Sequence, residues 1–138
     1  MSNNSIFIEK LRSSGLRPTR QRLEICKLLF DRKSTFHFTI NDLSDSLSKI
    51  TSEKISLATI YNTIHSFKEK GYLKEISINS DKTYFDTNIS NHHHFFDESK
   101  RELIDLEDKD VGKIKIKKSV PGKKITSIEV LVKIANNN

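Results

Sequence analysis

The sequence predicts an α+β chain in which helices come first and extended segments follow. Three observations carry this. Apolar residues recur at helical spacing in four segments before residue 71, and two short β-rich runs separated by a turn come next. From about Thr87 the character changes, and the apolar residues of the last stretch recur with a period of two. The change divides the chain into a first domain at 1–88 and a smaller one at 89–138.

Each element has its own signal. Ile6, Phe7, Ile8 and Leu11 form a short amphipathic helix, with Gly15 as its C-cap. Pro18 and Thr19 mark the start of the next, in which Leu23, Cys26, Leu29 and Phe30 recur at helical spacing. Thr39 reads as an N-cap with Asp42 three residues on, opening a helix over 39–50 that carries Ile40, Leu43, Leu47 and Ile50. Ser56 opens a helix over 56–70 whose stripe is Leu57, Ile60, Ile64 and Phe67, and Gly71 ends it. The runs 73–78 and 82–86 flank Asn79-Ser80-Asp81, which is hairpin composition. Helices followed by a hairpin are the order of a winged helix-turn-helix domain, with 39–50 and 56–70 as the helix pair.

Beyond it, 93–97, 102–106 and 124–134 are expected to be extended. In the last run Ile128, Val130, Val132 and Ile134 fall on different positions from Glu129 and Lys133. Residues 111–118 read either as an exposed strand or as a turn at Gly112.

Composition narrows the function. The chain has 138 residues, 35% hydrophobic and 30% charged, which leaves little apolar surface for two independent cores. Either the parts pack on each other or a second subunit completes the burial. A net charge of +6 favours a polyanion or an anionic surface as partner. Residues 1–38 hold eight Lys/Arg against three Asp/Glu, whereas 97–110 hold seven acids against three bases. A second basic run follows, with Lys113, Lys115, Lys117, Lys118, Lys123 and Lys124. The single cysteine, Cys26, excludes an internal disulfide and a cysteine-based zinc site, and its apolar neighbours suit a buried small hydrophobe. No apolar run approaches the ~18 residues of a membrane span, and the polar start Met1-Ser2-Asn3-Asn4-Ser5 lacks a signal-peptide core. A cytoplasmic location is expected. No nucleophile motif appears, so an enzyme is not expected.

In the helix over 56–70 the apolar stripe leaves Ser56, Ala58, Thr59, Tyr61 and Asn62 available. Ser56 and Thr59 suit phosphate, Tyr61 a thymine methyl or a phosphate, and Asn62 a base edge. Arg17, Arg20 and Arg22 form a second contact set, since guanidinium suits phosphate and a narrow minor groove. Lys74 and Lys82 at the wing would add backbone contacts. Double-stranded DNA is the expected partner.

Gly15-Leu16-Arg17-Pro18-Thr19-Arg20-Gln21-Arg22, Leu57-Ala58-Thr59-Ile60-Tyr61-Asn62-Thr63-Ile64 and Tyr84-Phe85-Asp86 resemble the ferric uptake regulator family. With His92-His93-His94-Phe95-Phe96 and Glu102-Leu103-Ile104-Asp105 they look most like its iron response regulator branch from alphaproteobacteria. The resemblance covers about residues 6–134. It implies an N-terminal winged helix followed by a small α/β dimerisation domain with an antiparallel sheet, a homodimer, and repression of iron and haem homeostasis genes at an AT-rich inverted repeat. It also implies that Arg17 approaches the minor groove and that Tyr61 contacts bases.

The histidine run supplies the chemistry. In a strand His92 and His94 share a face and His93 points away, which makes half a metal site. The remaining ligands follow from the resemblance, which matches His37, Asp86, His92, His94 and Asp105 to the family's regulatory site. Nitrogen and oxygen ligands without thiolate suit Mn²⁺, Fe²⁺ or Zn²⁺. The branch also implies haem on His92 and His94, in competition with the cation. Asp97 and Lys100 stand where many members have a Cys-x-x-Cys pair, so no structural cysteine-ligated zinc is expected and the dimerisation domain should lean on burial of Ile128, Val130, Val132 and Ile134. The alternative within the family is a metal- or peroxide-responsive repressor without haem sensing. A metalloenzyme and a protein–protein winged-helix module are the readings from other classes.

Overall fold

The computed structural model describes residues 3–90 and 93–137. The chain divides into two compact units, Met1–Ile89 and Ser90–Asn138. Among the described residues no helix is long and apolar enough to cross a membrane.

The first unit contains α1 (Asn3–Ser13), α2 (Arg20–Phe30), β1 (His37–Phe38), α3 (Ile40–Ile50), α4 (Leu57–Lys70), β2 (Lys74–Asn79) and β3 (Lys82–Asp86). Local chemistry sets the helix ends. Thr39 accepts from the Asp42 N–H and the Asp42 carboxylate accepts from the Thr39 N–H, so the expected capping box closes α3. Ser56 caps α4 by accepting from the Thr59 N–H, and Gly71 ends it at φ 93, a left-handed conformation that glycine takes without a Cβ penalty. Thr19 caps α2, so this helix starts at Arg20, and Arg17 and Pro18 lie in the approach to it rather than within it.

The strands form an antiparallel sheet in the order β1-β3-β2. The β2–β3 hairpin turns through an Asx contact from the Asp81 N–H to the Asn79 side chain. The two-residue β1 carries no periodicity of its own and was not foreseen. Its register on β3 sets Phe38 opposite Phe85 and His37 opposite Asp86. Phe38, Leu11, Ile25, Cys26, Leu43, Ile60, Ile64 and Phe67 are fully buried in one core. Leu57 departs from expectation. It lies at the first turn of α4 with 54% of its surface exposed, outside the stripe of Ile60, Ile64 and Phe67.

Burial raises the Cys26 thiol from 9.0 to about 12, with Lys10 opposing it weakly. The unfolded thiol therefore ionises from about pH 9 and the folded one only near 12, so stability present below pH 9 is lost as pH rises through that window. A thiol-reactive disulfide reagent at pH 8 should label Cys26 only at the rate of unfolding and promptly in denaturant. Prompt labelling of the native protein would contradict this burial.

The second unit contains β4 (His93–Asp97), β5 (Glu102–Leu106), a 3₁₀ turn at Asp108–Asp110 and β6 (Leu131–Ile134). Its sheet order is β5-β4-β6, antiparallel between β4 and β5 and parallel between β4 and β6. Only the last four residues of the extended run expected at 124–134 are strand. Val130 still reaches β4, its carbonyl accepting the His94 N–H at 3.1 Å. Residues 111–118 are neither strand nor helix. The burial expected of the Ile128, Val130, Val132 and Ile134 stripe is not made within one chain. Ile128 and Val132 remain 38% and 36% exposed, while Val130 and Ile134 are half-buried, since β6 is an edge strand.

Candidate functional site

In the first unit, α4 exposes Ser56, Leu57, Ala58, Tyr61, Asn62 and His65 along one side while Ile60, Thr63, Ile64 and Phe67 pack inward. Thr59 is half-buried. The Tyr61 ring is 59% exposed and lies parallel to the His65 ring, with centroids 6.2 Å apart. This pairs a donor-bearing aromatic with a flat imidazole on an exposed face of the helix. Leu57 belongs to the same face, one turn before Tyr61. Sequence reasoning placed it in the core stripe, although its position at the first turn marked it as able to face outward.

The arginines meet the same helix. Arg17, Thr19, Arg20, Gln21, Arg22 and Thr59 line one open cleft of about 580 Å³ between the starts of α2 and α4. Arg22 donates from Nη1 to the Arg17 carbonyl at 3.0 Å, which ties down the approach to α2. Its Nε is buried with no hydrogen-bond partner among the described residues. Arg20, with its side chain 82% exposed, makes an ion pair at 3.3 Å with Glu53. A cleft lined by three guanidiniums and two hydroxyls has the chemistry to hold an anion such as a phosphate oxygen. Arg17, Arg20, Arg22 and Thr59 are thus brought together, and Ser56, Tyr61 and Asn62 continue the surface along α4.

The candidate ligands fall into two pairs built in the same way. On the first unit's sheet, His37 and Asp86 are direct cross-strand neighbours, and Nε2 lies 3.0 Å from Oδ2. Asp86 is fully buried, and its Oδ1 accepts the Asn88 N–H at 2.9 Å. On the second unit's sheet His94 and Asp105 are direct neighbours on β4 and β5, with Nε2 3.4 Å from Oδ1. The His94 side chain is buried while Asp105 is partly open. Each pair offers one imidazole nitrogen and one carboxylate, a donor set that fits a divalent first-row cation. The expected ligand His92 lies outside the described residues.

His93 was read only as pointing away from its neighbours. It is buried and fully engaged: Nδ1 accepts the Val130 N–H at 2.9 Å, and Nε2 lies 3.0 Å from the Asp108 carboxylate. The neutral ring therefore carries its proton on Nε2 and donates it to Asp108. At the two positions where a Cys-x-x-Cys pair would stand, the Asp97 side chain accepts the Lys100 N–H at 3.0 Å.

Comparison with known proteins agrees with this architecture. The chain is 35% identical over 100 residues to the peroxide-responsive repressor PerR of Staphylococcus aureus (strain Mu50), an alignment covering 72% of this chain and 66% of that protein. The chain thus spans slightly less than two thirds of that relative. The solved ferric uptake regulator of Vibrio cholerae superposes with a TM-score of 0.69 at 20% identity, covering 94% of this chain and 98% of that one. The Pseudomonas aeruginosa ferric uptake regulator solved with manganese gives 0.68 at 17% identity, covering 96% and 99%. The family model for ferric uptake regulators matches residues 13–133, and the chain belongs to the ferric uptake regulator family.

Proposed function

We propose that this chain is a DNA-binding transcriptional repressor whose affinity for its operator is set by a divalent cation. The observation that carries the reading is the basic cleft of Arg17, Arg20 and Arg22 opening beside Thr59 at the start of α4. Phosphate contacts there would fix register, while Tyr61 and Asn62 read base edges of an AT-rich inverted repeat. Residues 1–88 supply this function, and 89–138 supply sensing and homodimer contacts. Family members are dimeric DNA-binding regulators, and the uncovered Ile128 and Val132 suit a second subunit.

For the sensor we propose that His37, Asp86, His92, His94 and Asp105, the positions matched by the resemblance, hold one Mn²⁺, Fe²⁺ or Zn²⁺ ion. A cation held in this way would favour the DNA-binding conformation through differential binding. Between haem and metal, the present structure favours metal. His94 is buried against Asp105 in a ready cation pair, whereas haem ligation requires that pair to part. The 35% identical relative is named for peroxide response, which points the same way. Control of iron and haem genes by haem, as in the iron response regulator branch, rests on the motif resemblance. A cytoplasmic location follows from a DNA partner.

The test is binding to an AT-rich inverted-repeat duplex by apo, Mn²⁺-loaded and haem-loaded protein. Mn²⁺ should tighten binding by about 5–150-fold, the scale of a coupling of about 1–3 kcal/mol. Tyr61→Ala should weaken it by about 1–3 kcal/mol, the scale of a good base contact. One equivalent of Mn²⁺ should bind, with affinity lowered by His37→Ala and by Asp105→Ala alike. Two equivalents that respond separately would rule out a shared ion. A haem Soret shift removed by His92→Ala plus His94→Ala would restore the haem reading, and absence of salt-dependent DNA binding in every form would end the DNA reading.

A further inference from the structure

The connection from β5 to β6 is long and has no helix. β5 ends opposite His93 and β6 begins beside His94, so residues 107–130 leave and return at the same end of β4, passing from one side of it to the other. The described connection holds the 3₁₀ turn at Asp108–Asp110 and a tight turn at 120–123. That turn closes from the Lys123 N–H to the Val120 carbonyl at 3.0 Å. Pro121 stands at its second position, and Gly122, with φ 75, at its third.

One side chain clips both ends. His93 bonds Asp108 at the start of the connection and the Val130 N–H at its end. Between them Val111 and Ile114 on the outgoing limb and Ile125 and Ile128 on the returning limb line one cavity of about 430 Å³ with His93 and Asp108. The connection is therefore an arm with an apolar base and a turn at its tip. Lys117 and Lys118 precede the turn, Lys123 and Lys124 follow it, and Lys113 and Lys115 lie on the outgoing limb. All six are exposed, residues 111–124 contain no acid, and none of the six makes an ion pair among the described residues.

We propose that this arm is a second polyanion contact, which binds duplex phosphates without regard to sequence and so adds to the α2–α4 cleft. This rests on the DNA-binding reading above. Four ammonium groups on flexible stems around one turn form no cavity aimed at a discrete ligand. They suit a partner whose charge repeats closely, and a duplex presents one charge per about 1.7 Å of axis. The acidic segment 97–110 of a second copy is the competing occupant.

The experiment compares the full-length protein with Lys117→Gln/Lys118→Gln/Lys123→Gln/Lys124→Gln and with the corresponding four-arginine variant. Each is titrated with an inverted-repeat duplex and a scrambled one across salt, with sedimentation alongside. The glutamine variant should lose the same factor of affinity on both duplexes. Its salt slope should fall by about 0.9 per lost phosphate contact, so the affinity change between about 50 and 200 mM salt shrinks about threefold per contact. Arginine should restore the slope. An unchanged slope overturns the proposal, as does an affinity loss that follows weaker subunit association. Failure of the unsubstituted protein to bind either duplex refutes the underlying reading, and that outcome is seen without the variants.

Discussion

Phe38→Ala should lower the unfolding free energy by about 3–5 kcal/mol, the range for deleting a fully buried aromatic side chain. Phe38 has no exposed surface, and its ring stacks on Phe36 at 5.2 Å and on Phe85 at 5.8 Å. A typical domain is stable by only about 5–15 kcal/mol, so the loss should be visible directly in chemical denaturation. The consequence extends to the sensor. Phe38 and His37 are the two residues of β1, and their partners Phe85 and Asp86 are adjacent on β3. The inward pair of rings thus holds the His37–Asp86 pair in register. At a temperature where the variant is still folded, its affinity for Mn²⁺ should fall although no ligand has changed. Phe38→Leu, which keeps much of the volume, should restore most of both properties. Loss of stability with unchanged Mn²⁺ affinity would show that β1 positions nothing.

The features legible in the sequence were those encoded locally. The Thr39–Asp42 capping box, the Ser56 cap and the Gly71 stop each need only a few adjacent residues, and all three form. The hairpin was legible because turn composition and flanking β-rich residues coincide within 14 positions, 73–86. The strands at 93–97 and 102–106 were placed correctly for the same reason. β1 was not legible, because a two-residue strand has no period and exists only through its pairing with β3 across a long stretch of chain. The run 124–130 alternates well, yet alternation names a face without supplying a neighbour. Leu57 matched the helical stripe by spacing, but spacing alone does not tell a first-turn residue which side of it faces outward.

The same division holds for the candidate site. Histidines and carboxylates could be matched as ligands from the resemblance, whereas the burial of His93 could not. Its bonds to Asp108 and Val130 lie 15 and 37 residues away and leave no local trace. The cleft was half legible. Both contact sets were identified separately, but only the packing of α2 and α4 shows that Thr59 and the arginines share one opening.

Asp86→Asn should remove most divalent-cation affinity while leaving the apo fold intact. Asp86 has no exposed surface, and its two oxygens have separate tasks: Oδ1 accepts the Asn88 N–H, and Oδ2 faces His37 Nε2. Asparagine keeps the first acceptor and can donate its amide to the imidazole, so neither group is stranded. It cannot supply the negative charge that a divalent cation needs from its ligands. Loss of an outer partner that merely orients a ligand costs about 10–100-fold in metal affinity, so a direct ligand should cost about 100-fold or more. Thermal unfolding gives an independent reading. Excess Mn²⁺ at about 100 times its Kd should stabilise the unsubstituted protein by about 2.7 kcal/mol, and that increment should fall to about 0.4 kcal/mol or less in the variant. Asp86→Ala behaves differently on this account. It removes the acceptor of the Asn88 N–H and the carboxylate facing His37, and should destabilise even the apo protein by about 1–3 kcal/mol. If Asp86→Asn retained the Mn²⁺ increment, the buried carboxylate would be a partner for His37 in the fold and not a ligand. The sensor would then have to be sought at His92, His94 and Asp105.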